Sequence, residues 1–184
     1  QLLLRQSVWE RTLDISRIFA GNEDILSGIR STLSAIREDI GAFGVLVSSV
    51  EKDVFRLMAS SGYDNELLRF SIQKGGIVAS QSIEFRRPIW VTDVSKNPTA
   101  RPVHPKVRCE LLIPLFQAGE EEGVLEIAFD AVKPEDPFLI ETLTPVAAYL
   151  GGLIHGEKMR REVKGSYGYL AEKLQFVTSI YHDE

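Results

Sequence analysis

The chain has 184 residues, 44% of them apolar and 26% charged, with a formal net charge of −5. That apolar content suits one packed domain with residues left for flanking helices, and the acidic balance excludes general nucleic-acid binding, which relies on clustered Lys and Arg releasing counterions. No run of about 18 apolar residues predicts a membrane span, the Leu2-Leu3-Leu4 start is too short for a secretory signal, and one cysteine excludes an internal disulfide, so the reducing cytoplasm is the expected location.

Residues 1–20 have helical spacing, with Leu4, Val8, Ile15 and Ile18 on a heptad-like stripe that Arg11 interrupts. Gly21-Asn22 stops that helix. A second is predicted over 23–40, where Ile25, Leu26, Ile29, Leu33, Ile36 and Ile40 form an apolar face and Glu23 and Asp24 suit the positive end; Gly41 terminates it. The period then changes. Phe43–Val50 and Val54–Ser60 read as strands joined by a hairpin at Glu51-Lys52-Asp53. Asp64–Ile72 returns to helical spacing, and Gly75-Gly76 breaks it before a short helix through Phe85.

Pro88–Val91 is a short strand. Residues 92–107 hold Pro98, Pro102 and Pro105 without periodicity, the length of loop that commonly serves as a lid or binding loop. Glu110–Phe116 and Gly123–Phe129 are apolar strands, and Ala118–Glu122 between them is an acidic turn expected to be exposed. Asp136-Pro137 signals the last helix; Pro145 predicts a kink, or a restart capped by Thr144. Leu139, Leu143, Val146, Leu150 and Leu153 face a sheet or a partner. Residues 157–164 are charged and expected to bury little. Val163, Tyr167, Leu170, Leu174, Val177 and Tyr181 follow as a heptad seam, which predicts a parallel homodimer through residues 1–20 and 139–181. Gly165 and Gly168 weaken it by about 1 kcal/mol each relative to Ala. The chain starts without Met and ends on a charged helix, so it is expected to be a piece of something longer.

The order of four segments is the most specific signal. These are Gly75-Gly76-Ile77-Val78-Ala79, Arg87-Pro88-Ile89-Trp90-Val91-Thr92-Asp93-Val94, Cys109-Glu110-Leu111-Leu112-Ile113-Pro114-Leu115 and Gly123-Val124-Leu125-Glu126-Ile127. In that order, over roughly residues 22–155, they resemble the GAF family of small-molecule sensor domains. The resemblance implies an α+β fold, a GAF-like antiparallel β-sheet of five to six strands with helices packed on it, flanked by N- and C-terminal signalling helices. The expected division is an N-terminal helix (1–21), a sensor domain (22–156) and a coiled-coil signalling helix (157–184). It also implies sensing rather than catalysis by this chain.

In such a fold the lid closes over one face of the sheet to make a pocket. The resemblance would put Ile77, Trp90, Pro98, Val103, His104, Cys109 and Leu111 at that pocket, with Arg101, Lys106 and Arg108 on a basic rim favouring an anionic or carbonyl-bearing ligand. The alternative is a pocket filled by its own side chains in a ligand-free dimerisation or scaffold domain. Cys109 reads either as a thiolate activated by Lys106 and Arg108, hence a redox or nitric-oxide sensor, or as a small buried apolar residue. Some GAF domains reduce free methionine sulfoxide, but that cycle needs a second, resolving cysteine. His104, Cys109 and His155 fall short of the four ligands of a structural zinc, so no metal is expected. Bilin attachment, known in phytochrome-like relatives, uses a Cys-His pair, whereas Glu110 follows Cys109. The cyclic-nucleotide pattern is broken, because no Asn precedes Lys133 and Thr142-Leu143 stand where Asp-Glu belongs. Gly75-Gly76 lacks the Lys of a phosphate-binding loop. No cofactor is identified, and the ligand stays unnamed.

His182-Asp183-Glu184 resembles the phosphoacceptor box of sensor histidine kinases, with Phe176 six residues before the histidine. His182 would take the phosphoryl group while Asp183 accepts its proton. Glu184 stands where one subfamily has an apolar residue, and the basic residues of another are missing. This reading predicts an output domain beyond Glu184, within a two-component system.

Overall fold

Helix α1 (Ile25–Ile40) lays Ile29, Leu33 and Ile36 on the sheet, as its apolar spacing predicts, and Thr32 Oγ1 donates to the Gly28 carbonyl at 2.9 Å. The computed structural model describes residues 25–64 and 71–182, with side-chain surroundings as far as Ser166. The expected first helix (1–20), the acidic start at Glu23 and Asp24, and residues 65–70 lie outside the described residues. Gly41 ends α1 with φ 62°, and the Ala42 N–H reaches back to the Arg37 carbonyl at 3.1 Å, closing the last turn.

Strands β1 (Gly44–Glu51) and β2 (Val54–Ser61) form a hairpin whose two-residue turn, Lys52-Asp53, needs a left-handed Lys52 at φ 56°. Strand β3 (Ser71–Gln73) pairs with β2, Ile72 opposite Phe55. The helical spacing of Asp64–Ile72 therefore misleads at its end: Ile72 turns inward from an edge strand. Helix α2 (Val78–Glu84) and strand β4 (Ile89–Val91) follow as expected. Asp93 then caps a 3₁₀ turn (Val94–Lys96), accepting from the Ser95 amide at 3.1 Å, and the loop 97–108 leads to β5 (Cys109–Gln117).

Strand β6 (Glu120–Phe129) begins immediately after a two-residue turn, Ala118-Gly119, both at positive φ. The acidic segment 120–122 is therefore strand rather than turn, with Glu120 and Glu121 exposed as expected. Glu122 is buried, accepting from Lys158 Nζ at 2.8 Å and bonding His155 Nδ1 at 2.7 Å. A Cβ at Gly123 would overlap the Ser48 carbonyl oxygen, so β1 and β6 approach as closely as they do because no side chain stands between them.

All pairings are antiparallel, in the order β3-β2-β1-β6-β5-β4. Period-two alternation divides the sheet. One face (Val45, Val47, Leu111, Ile113, Leu125, Ile127) packs under α1 and the last helix, α3 (Pro137–His182), and holds the larger core. The opposite face carries Phe55, Leu112 and Val124, packed with Val78 and Ile83 of α2, Val91 and Ala100. Each fully buried Leu or Ile contributes about 1.5–3 kcal/mol by leaving water.

Asp136 caps α3, accepting from the Leu139 amide at 3.1 Å. The helix runs through Pro145 without a restart, and Thr144 bonds backwards, donating to the Ile140 carbonyl at 2.7 Å, instead of capping a new helix. Pro145 is exposed, where water reaches the backbone its ring leaves unbonded. Leu139, Leu143, Val146, Leu150 and Ile154 are buried on the sheet, so this part of the segment expected to dimerise is occupied by the domain's own core. Pro137–Ser166 is long enough to cross a membrane and contains an 18-residue window of mean hydropathy 1.4, but its apolar stripe belongs to that core. Within the charged 157–164 segment Glu157 is buried after all, its carboxylate held by Arg160 and Arg161 at 2.8 and 2.9 Å, which lowers its pKa.

Candidate functional site

On the face away from α1 and α3, the sheet, α2 and the loop 97–108 enclose a cavity of about 60 Å³. Its floor is Leu46, Ser48, Glu110, Leu112, Val124 and Glu126 of the central strands, its walls Phe55, Leu57, Ile72, Ile77, Val78 and Ala79, and its roof Arg101 and Val103. The roof is stitched to itself. Asn97 Oδ1 accepts from the Thr99 amide and hydroxyl at 2.9 and 2.8 Å, the Val78 amide bonds the Thr99 carbonyl at 3.3 Å, and Arg101 Nη1 donates to the carbonyls of Pro98 and Ala100, both at 2.8 Å. At its base the Arg108 amide donates to the Phe129 carbonyl at 2.7 Å, and the Arg108 carbonyl accepts from Val94 at 2.9 Å.

Two carboxylates lie in this apolar floor. Glu126 stands opposite Leu112 on one side and Leu46 on the other, while Glu110 stands opposite Ala128. The acids are thus diagonal neighbours across β5 and β6, within reach of long side chains. Glu110 is 2% exposed, and Oε1 of each acid has no hydrogen-bond partner. Burial pushes the Glu110 carboxyl up to about 7; burial foremost, then the charge of Glu110, pushes Glu126 well above the usual carboxylate range. The buried Tyr63 hydroxyl also lacks a partner, and burial followed by the charges of Glu126 and Glu110 raises its pKa. The Tyr63 ring meets Phe43 edge-on at 5.8 Å, and Phe43 in turn packs on His104 at 5.0 Å.

Of the residues the sequence assigned to the pocket, Ile77, Arg101 and Val103 line the cavity. Pro98, His104, Lys106 and Arg108 do not. His104 packs at a tilt on Phe43 with Nδ1 accepting from the Lys106 amide at 3.2 Å, and Lys106 and Arg108 are exposed, so the basic rim reduces to Arg101. Cys109 and Leu111 point to the opposite face, into the core under α1 and α3. Trp90 also lies on that side, stacked on Phe129 at 6.0 Å with Nε1 donating to the Lys133 carbonyl at 3.1 Å. The reason is phase: β5 alternates, so Glu110 and Leu112 occupy the cavity face and leave Cys109 and Leu111 on the other. Burial foremost raises the Cys109 thiol pKa, the reverse of thiolate activation. Glu110, Glu126 and Tyr63 escaped the sequence reading, although two acids inside otherwise apolar strands were a usable signal.

Trp90, Phe129, Lys133 and Leu139 border a second concavity, larger at about 500 Å³ but without an orphaned buried polar atom among the described residues. No three His, Cys, Asp or Glu side chains gather into a metal site among the described residues. His182 is the last residue of α3, with its side chain outside the described set, as is Asp183 altogether, so their phosphoacceptor geometry is not described.

A single antiparallel sheet, backed by helices on one face and roofed by a loop over a cavity on the other, defines an α+β domain. A family model described as GAF domain matches residues 23–155, and the chain belongs to that family, whose domains are sensory and regulatory. Among solved structures, it is similar to the GAF domain of a phosphoenolpyruvate-protein phosphotransferase from Coxiella burnetii (TM-score 0.75, 15% identity, 86% of this chain and 98% of that one). It is also similar to the corresponding Acinetobacter domain (TM-score 0.73, 14% identity, 82% and 94%). A third similar structure is free methionine-R-sulfoxide reductase from Neisseria meningitidis in complex with its substrate (TM-score 0.71, 22% identity, 85% and 93%). At these identities the likeness shows the fold alone. No curated protein matches the chain in sequence.

Proposed function

We propose that this domain senses a small molecule bound in the cavity beneath the 97–108 loop and transmits occupancy through α3 to an output domain in a cytoplasmic, dimeric signalling protein. The observation carrying this reading is the cavity itself: small, mostly apolar and with orphaned polar atoms at its floor, a lining that suits a small ligand. Strand β5 offers the route outward. Glu110 and Leu112 form the cavity floor while Leu111, Ile113 and Leu115, one residue out of phase, pack in the core shared with α3. A ligand shifts α3 only if it binds two arrangements of that layer with different affinity. The output proposed is a histidine kinase with His182 as phosphoacceptor. Catalysis is not proposed for this chain: the sulfoxide reductase cycle needs two cysteines, and the single cysteine here is buried on the far face.

Thermal shift against a metabolite panel tests the reading. Stabilisation by several degrees that is abolished by Ala79→Trp, which fills the cavity, supports it. Stabilisation that survives Ala79→Trp moves the ligand out of this cavity, and a domain that binds nothing yet dimerises tightly is a scaffold instead.

A further inference from the structure

The geometry points to a compact organic cation, an alkylammonium with an apolar body, as the class of ligand this cavity takes, held by the unpartnered oxygens of Glu110 and Glu126. The inference rests on the reading that the cavity binds a ligand, and it replaces the anionic preference expected from a basic rim. Three observations lead to it. Both acids lie on one floor, diagonal across β5 and β6, so a single cationic group between the two strands can meet both. Their Oε1 atoms, and the Tyr63 hydroxyl beside them, are buried without a hydrogen-bond partner, whereas buried polar groups are ordinarily satisfied.

Among the described residues no countercharge meets the acids. The one basic residue among the described lining, Arg101, gives Nη1 to the carbonyls of Pro98 and Ala100 and forms no ion pair with either acid. An ammonium has three donors and no acceptor, which suits two lone oxygens; the remaining wall, Phe55, Leu57, Ile72 and Ile77, suits a hydrocarbon chain. A carboxylate placed there would face two acids, and a neutral alcohol would satisfy only one.

The test uses isothermal titration of the 184-residue chain at pH 8 with primary amines from ethylamine to hexylamine, including isobutylamine. Each is compared with its own alcohol, amide and carboxylate, and potassium chloride is a separate arm. At least one amine is expected to bind about tenfold or more tightly than its alcohol, the scale of a charge-assisted hydrogen bond. Glu110→Gln and Glu126→Gln should each remove that advantage, with a wild-type circular dichroism spectrum reporting that the variants are folded. If no amine exceeds its alcohol, or if an amide or carboxylate binds best, the assignment falls while the ligand-binding cavity stands. A potassium response equal to the amine's assigns the acids to a bare ion and overturns the organic cation. Failure of every compound overturns the cation, while the cavity's sensing role is decided separately by the metabolite panel and Ala79→Trp.

Discussion

Replacing Glu110 by Gln should stabilise the ligand-free domain, and only above the pH at which the buried acid ionises. Glu110 is 2% exposed and its carboxyl rises from 4.5 to about 7, so the folded state holds its proton more tightly than the unfolded chain does. Below about 4.5 both states are protonated and no penalty exists. Between about 4.5 and 7 the unfolded chain has released the proton and the folded chain has not, so stability declines as pH rises, and above about 7 the full penalty is present. A shift of about 2.5 pK units corresponds to about 3 kcal/mol. Gln resembles the protonated acid in shape and charge, so it should match wild type at pH 5 and exceed it by about 3 kcal/mol at pH 8. For a domain of this size that is about 6–12 °C in Tm. The Glu110 charge also helps hold the Glu126 proton, so Glu110→Gln should move the Glu126 titration to lower pH as well. Urea unfolding followed by circular dichroism at pH 5, 6, 7 and 8 measures the profile. A Glu110→Gln variant with the wild-type slope and no gain at pH 8 would refute the argument that this carboxyl is buried unpaired.

Gly123→Ala should cost about 1–3 kcal/mol in urea unfolding, because its methyl collides with the Ser48 carbonyl and forces β1 from β6. Wild-type stability would mean the strands are farther apart. Lys158→Met removes one partner of the buried Glu122 and should cost about 1–2 kcal/mol, a modest loss because Lys158 is itself 28% exposed. An unchanged midpoint at pH 7 would count against that ion pair. Cys109, buried with a raised pKa, should react with maleimide only as fast as the domain opens, and rapid labelling of the native protein would restore the thiol-switch alternative.

The segment order from Gly75 to Ile127, the apolar spacing of α1, the Asp136 cap and the paired β-rich runs are local properties. Side-chain period, backbone preference and capping chemistry act over a few residues, so the family, the α+β class and most elements were legible in the linear chain. The edge strand at Ser71–Gln73 was not, since a three-residue strand takes its conformation from its β2 partner. Nor was the extent of β6, since Glu120–Glu122 reads as turn until Lys158 and His155 of α3 meet Glu122.

The phase of β5 separates the two kinds of knowledge most clearly. Cys109-Glu110-Leu111-Leu112-Ile113 is apolar on both faces because both are buried, so alternation carries no label saying which face meets the helices and which meets the cavity. By itself the sequence determined that a sheet-and-helix sensory domain forms. Only the tertiary structure decided that Cys109, Trp90 and Leu111 serve the helix side while Glu110 and Glu126 meet beneath the loop. The register of β5 on β6 makes that choice: a one-residue slip exchanges every side chain between the faces, and the long-range packing of α1 and α3 on one of them sets the register.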